Sequence, residues 1–338
     1  MTTRAWVTAL ALCATACQGS RVAVTEENDL LSRGTATDRD YTQGARVEVA
    51  RPLAAASAPE RALFATFDRI PLLLPAAVAG QPAAGALTWS LRQRIFTPEN
   101  LETDQYQPDD RPYAGLLDFT VARTRVWLDP DPSTRRDRLQ RVSLSAGAMG
   151  SASLARDTQI GYHDGIGEPR PNGWRHQVPT EATLGLEVLS RQRFFFATLQ
   201  PGRAGGFEFD AALERDLRLG NADTSLGTAF LLRLGAHLPR AEGLFPHGTA
   251  IDPVSSAWIY LRAGARGVFW DATLDGALFA DSPSVERENV VGTAELGGVL
   301  LLRGFAVSYG IVISTPQFEG QGRVPTYGRL VVGPTSLW

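Results

Sequence analysis

The 338-residue chain contains no lysine, so its 33 basic side chains are all arginines. Apart from the α-amine and any charged histidine, every cation is a guanidinium, a planar fork and not a point charge. The formal net charge of −3 marks neither a nucleic-acid binder nor a partner of extreme charge. Only two cysteines occur, Cys13 and Cys17. Cleavage after Ala16 would leave one of them, which excludes a disulfide framework and a thiolate metal centre. No run of the roughly 18 apolar residues that a membrane helix needs is present. The nearest, Ile70 to Ala79, is interrupted by Pro75. A helical span is excluded.

What the chain has is an N-terminal export pattern and a dominant, recurring period-2 alternation. Met1 to about Ala16 carries Arg4, an apolar stretch from Trp6 to Leu12 and the small-x-small end Ala14-Thr15-Ala16. It is expected to be a signal peptide, with an acylated Cys17 as the alternative terminus. Residues 17–338 then form one domain. In Phe207-Glu208-Phe209-Asp210-Ala211 and onward to Leu219, apolar side chains alternate with mostly charged ones, with Arg215 out of phase. The same period of two runs through Val47 and Val49, through Leu87, Trp89 and Leu91, and through Ile259, Leu261 and Ala263. A soluble sandwich also alternates. Strands of about 10 residues, the export pattern and the terminal Trp338 favour instead an all-β, antiparallel transmembrane barrel of about twelve strands with a polar lumen.

An even strand count puts both termini on one side, conventionally the periplasm. The connections 30–40, 97–112 and 149–182 then share the outer rim, and they are rich in Asp, Glu, His, Asn and Gly. The inner connection 52–85 is long and is expected to carry a helix around Glu60 to Phe67.

Two features on the outer connections point to chemistry. His163 lies in Gly161-Tyr162-His163-Asp164-Gly165, where an imidazole beside a carboxylate can serve as general base. No Gly-x-Ser-x-Gly elbow is present, so water is the expected nucleophile. Asp29, Asn28 and Glu168 are hard oxygen donors that suit Ca²⁺ and not Zn²⁺, although Asp and Asn at strand ends are also common turn formers.

Together, Asn28-Asp29, the segment Asp38-Arg39-Asp40-Tyr41-Thr42-Gln43-Gly44, Ile95-Phe96-Thr97-Pro98, Asp109-Asp110-Arg111-Pro112-Tyr113-Ala114-Gly115 and the stretch Gln159 to Gln177 resemble the outer-membrane lipid A 3'-O-deacylase family. The resemblance covers most of the first 190 residues. It implies a twelve-stranded barrel in the bacterial outer membrane, acting on lipid A of the outer leaflet as a calcium-dependent ester hydrolase. It further implies His163 as the base that activates water, Asp29 as the metal ligand, and Asn28 and Thr42 as groups that orient the ion or the substrate; Glu168 joins Asp29 as a metal ligand on its donor chemistry alone.

Two departures stand out. Pro169 occupies the position of the family's catalytic glutamate, six residues after the histidine; Glu168, one place earlier, is the residue expected to take that catalytic role, given a shift of the loop path. The family's lysine is absent, and Arg111 is the cation expected to meet substrate in its stead. The alternative reading is a family member that keeps the barrel and serves as a structural or binding protein without the reaction.

Overall fold

The computed structural model describes residues 21–33, 39–52, 84–199, 206–240, 256–302 and 305–333, with three isolated positions between 58 and 65. The export segment, the segment from Glu60 to Phe67 apart from isolated positions, Thr37-Asp38 and Trp338 lie outside these residues.

Twelve strands form one closed antiparallel barrel. They are β1 (Arg21–Asn28), β2 (Asp40–Pro52), β3 (Ala84–Thr97), β4 (Ala114–Trp127), β5 (Arg138–Met149), β6 (Glu181–Leu199), β7 (Phe207–Gly220), β8 (Asp223–Ala236), β9 (Ser256–Asp271), β10 (Val290–Leu302), β11 (Phe305–Ser314) and β12 (Thr326–Gly333). Each pairs with its neighbour in sequence, and β1 pairs with β12 to close the ring. Closure removes the free edges that a sheet would otherwise expose. The expected strand count holds.

Period-2 alternation sorts side chains onto two faces. On β8, Leu226, Phe230 and Leu234 are exposed on the outer wall, while Ser225, Leu231 and Arg233 are buried inside. The interior is a lattice of ion pairs. Glu214 accepts from Arg191 at 2.7 Å and from Arg262 at 2.5 Å. Arg329 bridges Glu27 at 2.7 Å and Glu295 at 2.6 Å, and Asp210 binds both Arg193 and Arg233. Buried charges are tolerated only when paired and hydrogen-bonded, and the guanidinium fork serves two carboxylates at once.

Two short helices break the strand rhythm at the same rim. Helix α1 (Leu30–Arg33) follows β1, and α2 (Ala155–Ile166) follows a 3-10 turn at Gly150–Ser153. The connection 149–182, expected as a loop, therefore contains a three-turn helix.

Candidate active site on the outer wall

The strand registers lay out three rows of outward side chains across β11, β12, β1, β2, β3 and β4. The rim row is Ile311, Gly328, Asn28, Gln43, Ile95 and Gly115. The next row is Tyr309, Leu330, Glu26, Ala45, Gln93 and Leu117. The third is Val307, Val332, Val24, Val47, Leu91 and Phe119, entirely apolar, with Val47, Leu91 and Phe119 exposed. The intervening residues Glu27, Tyr41, Arg92 and Arg94 point inward, where they bind one another or Asp118.

A bulge in β2 between Tyr41 and Gln43 sets the polar chemistry of the rim row. One extra residue lets consecutive side chains share a face. Tyr41 turns inward to Glu27, and Thr42 joins Gln43 on the outside, its hydroxyl 2.6 Å from that of Thr97. The Thr42 carbonyl accepts the Asp29 N–H at 3.4 Å. Asn28 Oδ1 and Asp29 Oδ1 each accept the Leu30 N–H at 2.8 Å, which starts α1. Asn28, Asp29 and Thr42 are all buried. Helix α1 then leans over the outer wall on the β12 side: Leu31 packs on Gly328, and its carbonyl accepts the Tyr309 hydroxyl at 2.6 Å.

Helix α2 covers the wall on the other side, against β3 and β4. Its buried residues Ala155, Gln159 and His163 are spaced by four and form one stripe. Ala155 and Ser153 close on Gly115, the Gln93 amide donates to the Ser153 carbonyl at 2.7 Å, and Gln159 accepts the Trp174 indole N–H at 2.8 Å. Trp174 packs in turn on Tyr113 and Ile95. The helix ends at Gly167, whose φ of 80° is the left-handed conformation that favours glycine. The N–H groups of Gly167 and Glu168 both donate to the His163 carbonyl. The next turn brings the Pro169 carbonyl to 2.5 Å from His163 Nδ1. A carbonyl only accepts, so Nδ1 carries a proton, and in the neutral imidazole Nε2 keeps the lone pair of a base. Asp164 and Arg170 staple that turn through two bonds of 2.6 and 2.7 Å. Those bonds from Arg170 hold the Asp164 carboxyl below its ordinary 3.8.

The expected site residues therefore divide. Asn28, Asp29 and Thr42 come together at the rim row, and His163 lies on the buried face of the helix that packs beside that row. Glu168 is exposed, and its N–H, not its carboxylate, supports the histidine's helix. Arg111 lies on the lumenal side: its guanidinium sits 4.6 Å from the Phe96 ring and donates to Thr273 at 3.1 Å and Gln317 at 3.3 Å. Burial lowers its pKa, against the pull of Asp40, Asp271 and Asp110. The barrel wall stands between it and the rim row. The Pro169 carbonyl and the close approach at Gly115 were not legible as functional features. The four-residue spacing of Ala155, Gln159 and His163, ending at Gly167, is the signal that could have found the helix.

As for a cation, no group of three or more His, Cys, Asp or Glu side chains gathers among the described residues. Among the described residues the outer side of the rim offers the buried carboxylate of Asp29 beside amide and hydroxyl oxygens. Those donors suit a hard cation such as Ca²⁺, with main-chain oxygens, water or substrate completing the shell.

A family model described as "Outer membrane protein LpxR" matches residues 3–335. Among solved structures, LpxR from Salmonella typhimurium superposes with a TM-score of 0.68 at 16% identity, over 93% of this chain and 99% of that one. The translocator domain of the autotransporter NalP from Neisseria meningitidis covers 98% of this chain and 93% of its own, at 10% identity and a TM-score of 0.38. The second likeness is too weak to carry an argument. No curated protein matches by sequence.

Proposed function

The chain belongs to the LpxR family of outer membrane proteins, and on that premise we propose that it is a lipid A 3'-O-deacylase, a carboxylic ester hydrolase of the outer leaflet. The observation that carries this reading is the placement of His163. An imidazole whose Nδ1 is held by a carbonyl lies on a helix that packs on the outer wall beside the polar rim row, on the face that meets lipid. A soluble substrate would enter from the lumen; a lipid arrives sideways, along the wall.

In this reading His163 Nε2 takes a proton from water as the water oxygen attacks the ester carbonyl carbon. The bond from that carbon to the sugar oxygen then breaks, and the proton passes to the leaving oxygen, giving a free fatty acid and a hydroxyl. General-base catalysis of this kind contributes about 10²–10⁴-fold. Asn28 and Thr42 orient the ester. Asp29 is the proposed Ca²⁺ ligand, and Ca²⁺, when bound, would supply positive charge at the ester oxygen. Glu168 joins it only if its exposed carboxylate swings toward the wall. The Pro169 carbonyl orients the histidine at the place where the family carries a glutamate.

The test is mass spectrometry of lipid A from cells expressing the wild type or His163→Ala, with and without Ca²⁺. Loss of the 3' acyl group only with the wild type and only with Ca²⁺ is the expected result. Identical spectra would establish the second reading, a barrel without the reaction, which the missing lysine and the lumenal position of Arg111 favour.

A further inference from the structure

The second outward row holds one carboxylate, Glu26, with the small Ala45 beside it and Gln93 one strand further. Glu26 Oε1 accepts the Gln43 amide at 3.1 Å. Its other oxygen, Oε2, is shielded from solvent and has no hydrogen-bond partner among the described residues. Neighbours on the same face are Leu330 and, in the row below, Val24 and Val47. An acceptor closed off from water, on a wall that turns apolar one row further in, is an unmade hydrogen bond and costs stability. The interior ion-pair lattice cannot supply a partner, because Glu26 and Glu27 face opposite sides of the wall.

Glu26 lies two residues along β1 from Asn28, about 7 Å deeper on the same face. Helix α1 stands over β12 on one side of this strip, and α2 over β3 and β4 on the other. An acyl chain whose ester lies at the rim row descends the wall between them and passes Glu26 within its first several carbons.

We propose that the Glu26–Gln43 pair is a specificity determinant that reads a hydrogen-bond donor, a hydroxyl group, on the acyl chain close to the ester to be cleaved. The substituent's O–H donates to Glu26 Oε2, while Gln43 holds Oε1 and sets the carboxylate plane. A chain without the hydroxyl leaves Oε2 unpaired in the complex, so it binds less well. This inference rests on the deacylase reading and adds to it which acyl chains are selected.

The experiment uses the full chain purified in detergent with Ca²⁺. Two lipid A substrates are compared, alike except that the 3' acyl chain carries or lacks a hydroxyl near its ester. The wild type is expected to favour the hydroxylated chain by about ten- to hundredfold in kcat/KM, the range of one hydrogen bond to a charged group. Glu26→Leu should abolish that preference, mainly through KM. Glu26→Gln, which keeps an acceptor, should restore part of it. Leucine suits a lipid-facing wall, so the variant is expected to fold, and the heat-modifiable mobility of the barrel checks this. Equal rates on both chains for the wild type, or an undiminished preference in Glu26→Leu, would overturn the inference while leaving the deacylase reading intact. Hydrolysis of neither chain by the wild type would overturn both.

Discussion

The seat of α2 on Gly115 can be disturbed by a single methyl group. A Cβ at Gly115 would lie 2.2 Å from Ser153 Oγ and 2.3 Å from Ala155 Cβ. Ordinary van der Waals contact begins near 3.4 Å, so the pair must separate by more than an ångström. Ser153 can turn its hydroxyl away at the loss of its 2.6 Å bond to the Gly150 carbonyl. Ala155 Cβ has no such freedom, because it is fixed to the helix backbone. Strand β4 is held by ladders to β3 and β5 on both sides, so the movement falls on the turn and on α2. His163 moves with the helix. A displacement of about 1 Å at a catalytic group costs on the order of 10²-fold in rate. The accompanying strain is about 1–3 kcal/mol, typical of overpacking, and leaves the barrel closed. Gly115→Ala is therefore expected to lower deacylation about 100-fold, measured by mass spectrometry of lipid A with purified protein, while heat-modifiable mobility is retained. Gly161→Ala is the control: its Cβ would meet nothing within 4 Å, and the change should stabilise α2 by about 0.5–1 kcal/mol with the rate unchanged. A Gly115→Ala protein within about twofold of the wild-type rate would refute the claim that the helix seat positions the histidine.

Three further outcomes are expected. Asp29→Asn should raise the Ca²⁺ concentration needed for half-maximal activity by about tenfold or more, read from a calcium titration; an unchanged titration would remove Asp29 as ligand. Arg111→Met leaves Asp40, Asp271 and Asp110 without their shared cation, so the unfolding temperature of the barrel should fall, by an amount equivalent to about 3–5 kcal/mol, with turnover of the folded fraction within threefold; a large loss of turnover would instead put Arg111 in contact with substrate. The Asp164 carboxyl lies below its ordinary value because Arg170 donates to it, so the stabilisation from this staple is present above 3.8 and is lost as pH falls through the depressed folded value. Between roughly pH 5 and 8 the staple does not titrate, so the pH profile of the rate across that window should be the same in Asp164→Asn as in the wild type; a changed profile would contradict this assignment.

Most of the fold was legible along the chain. Alternation such as Phe207 to Leu219 needs only the pleat to be read, since one face meets lipid and the other an arginine–carboxylate lattice. At the rim that signal fails, because both faces become polar. Arg111 and Asn28 are equally plausible neighbours in sequence, yet Arg111 is drawn inward over Phe96, and the β2 bulge turns Thr42 outward to Thr97. The helix bearing His163 was hidden for a related reason: with Asp157, Gly161 and Asp164 on its exposed side, its mean hydropathy is low and only the sparse stripe Ala155, Gln159 and His163 marks it.

By itself the sequence determined the barrel, its strand count and the identity of the polar residues at the rim, because local periodicity and composition depend on which solvent each residue faces. The tertiary structure alone decided which side of the wall each rim residue occupies, that a main-chain carbonyl at Pro169 orients His163, and that α2 rests on Gly115. Those relations join strands and helices far apart in the chain through register and close packing, and no local pattern encodes either.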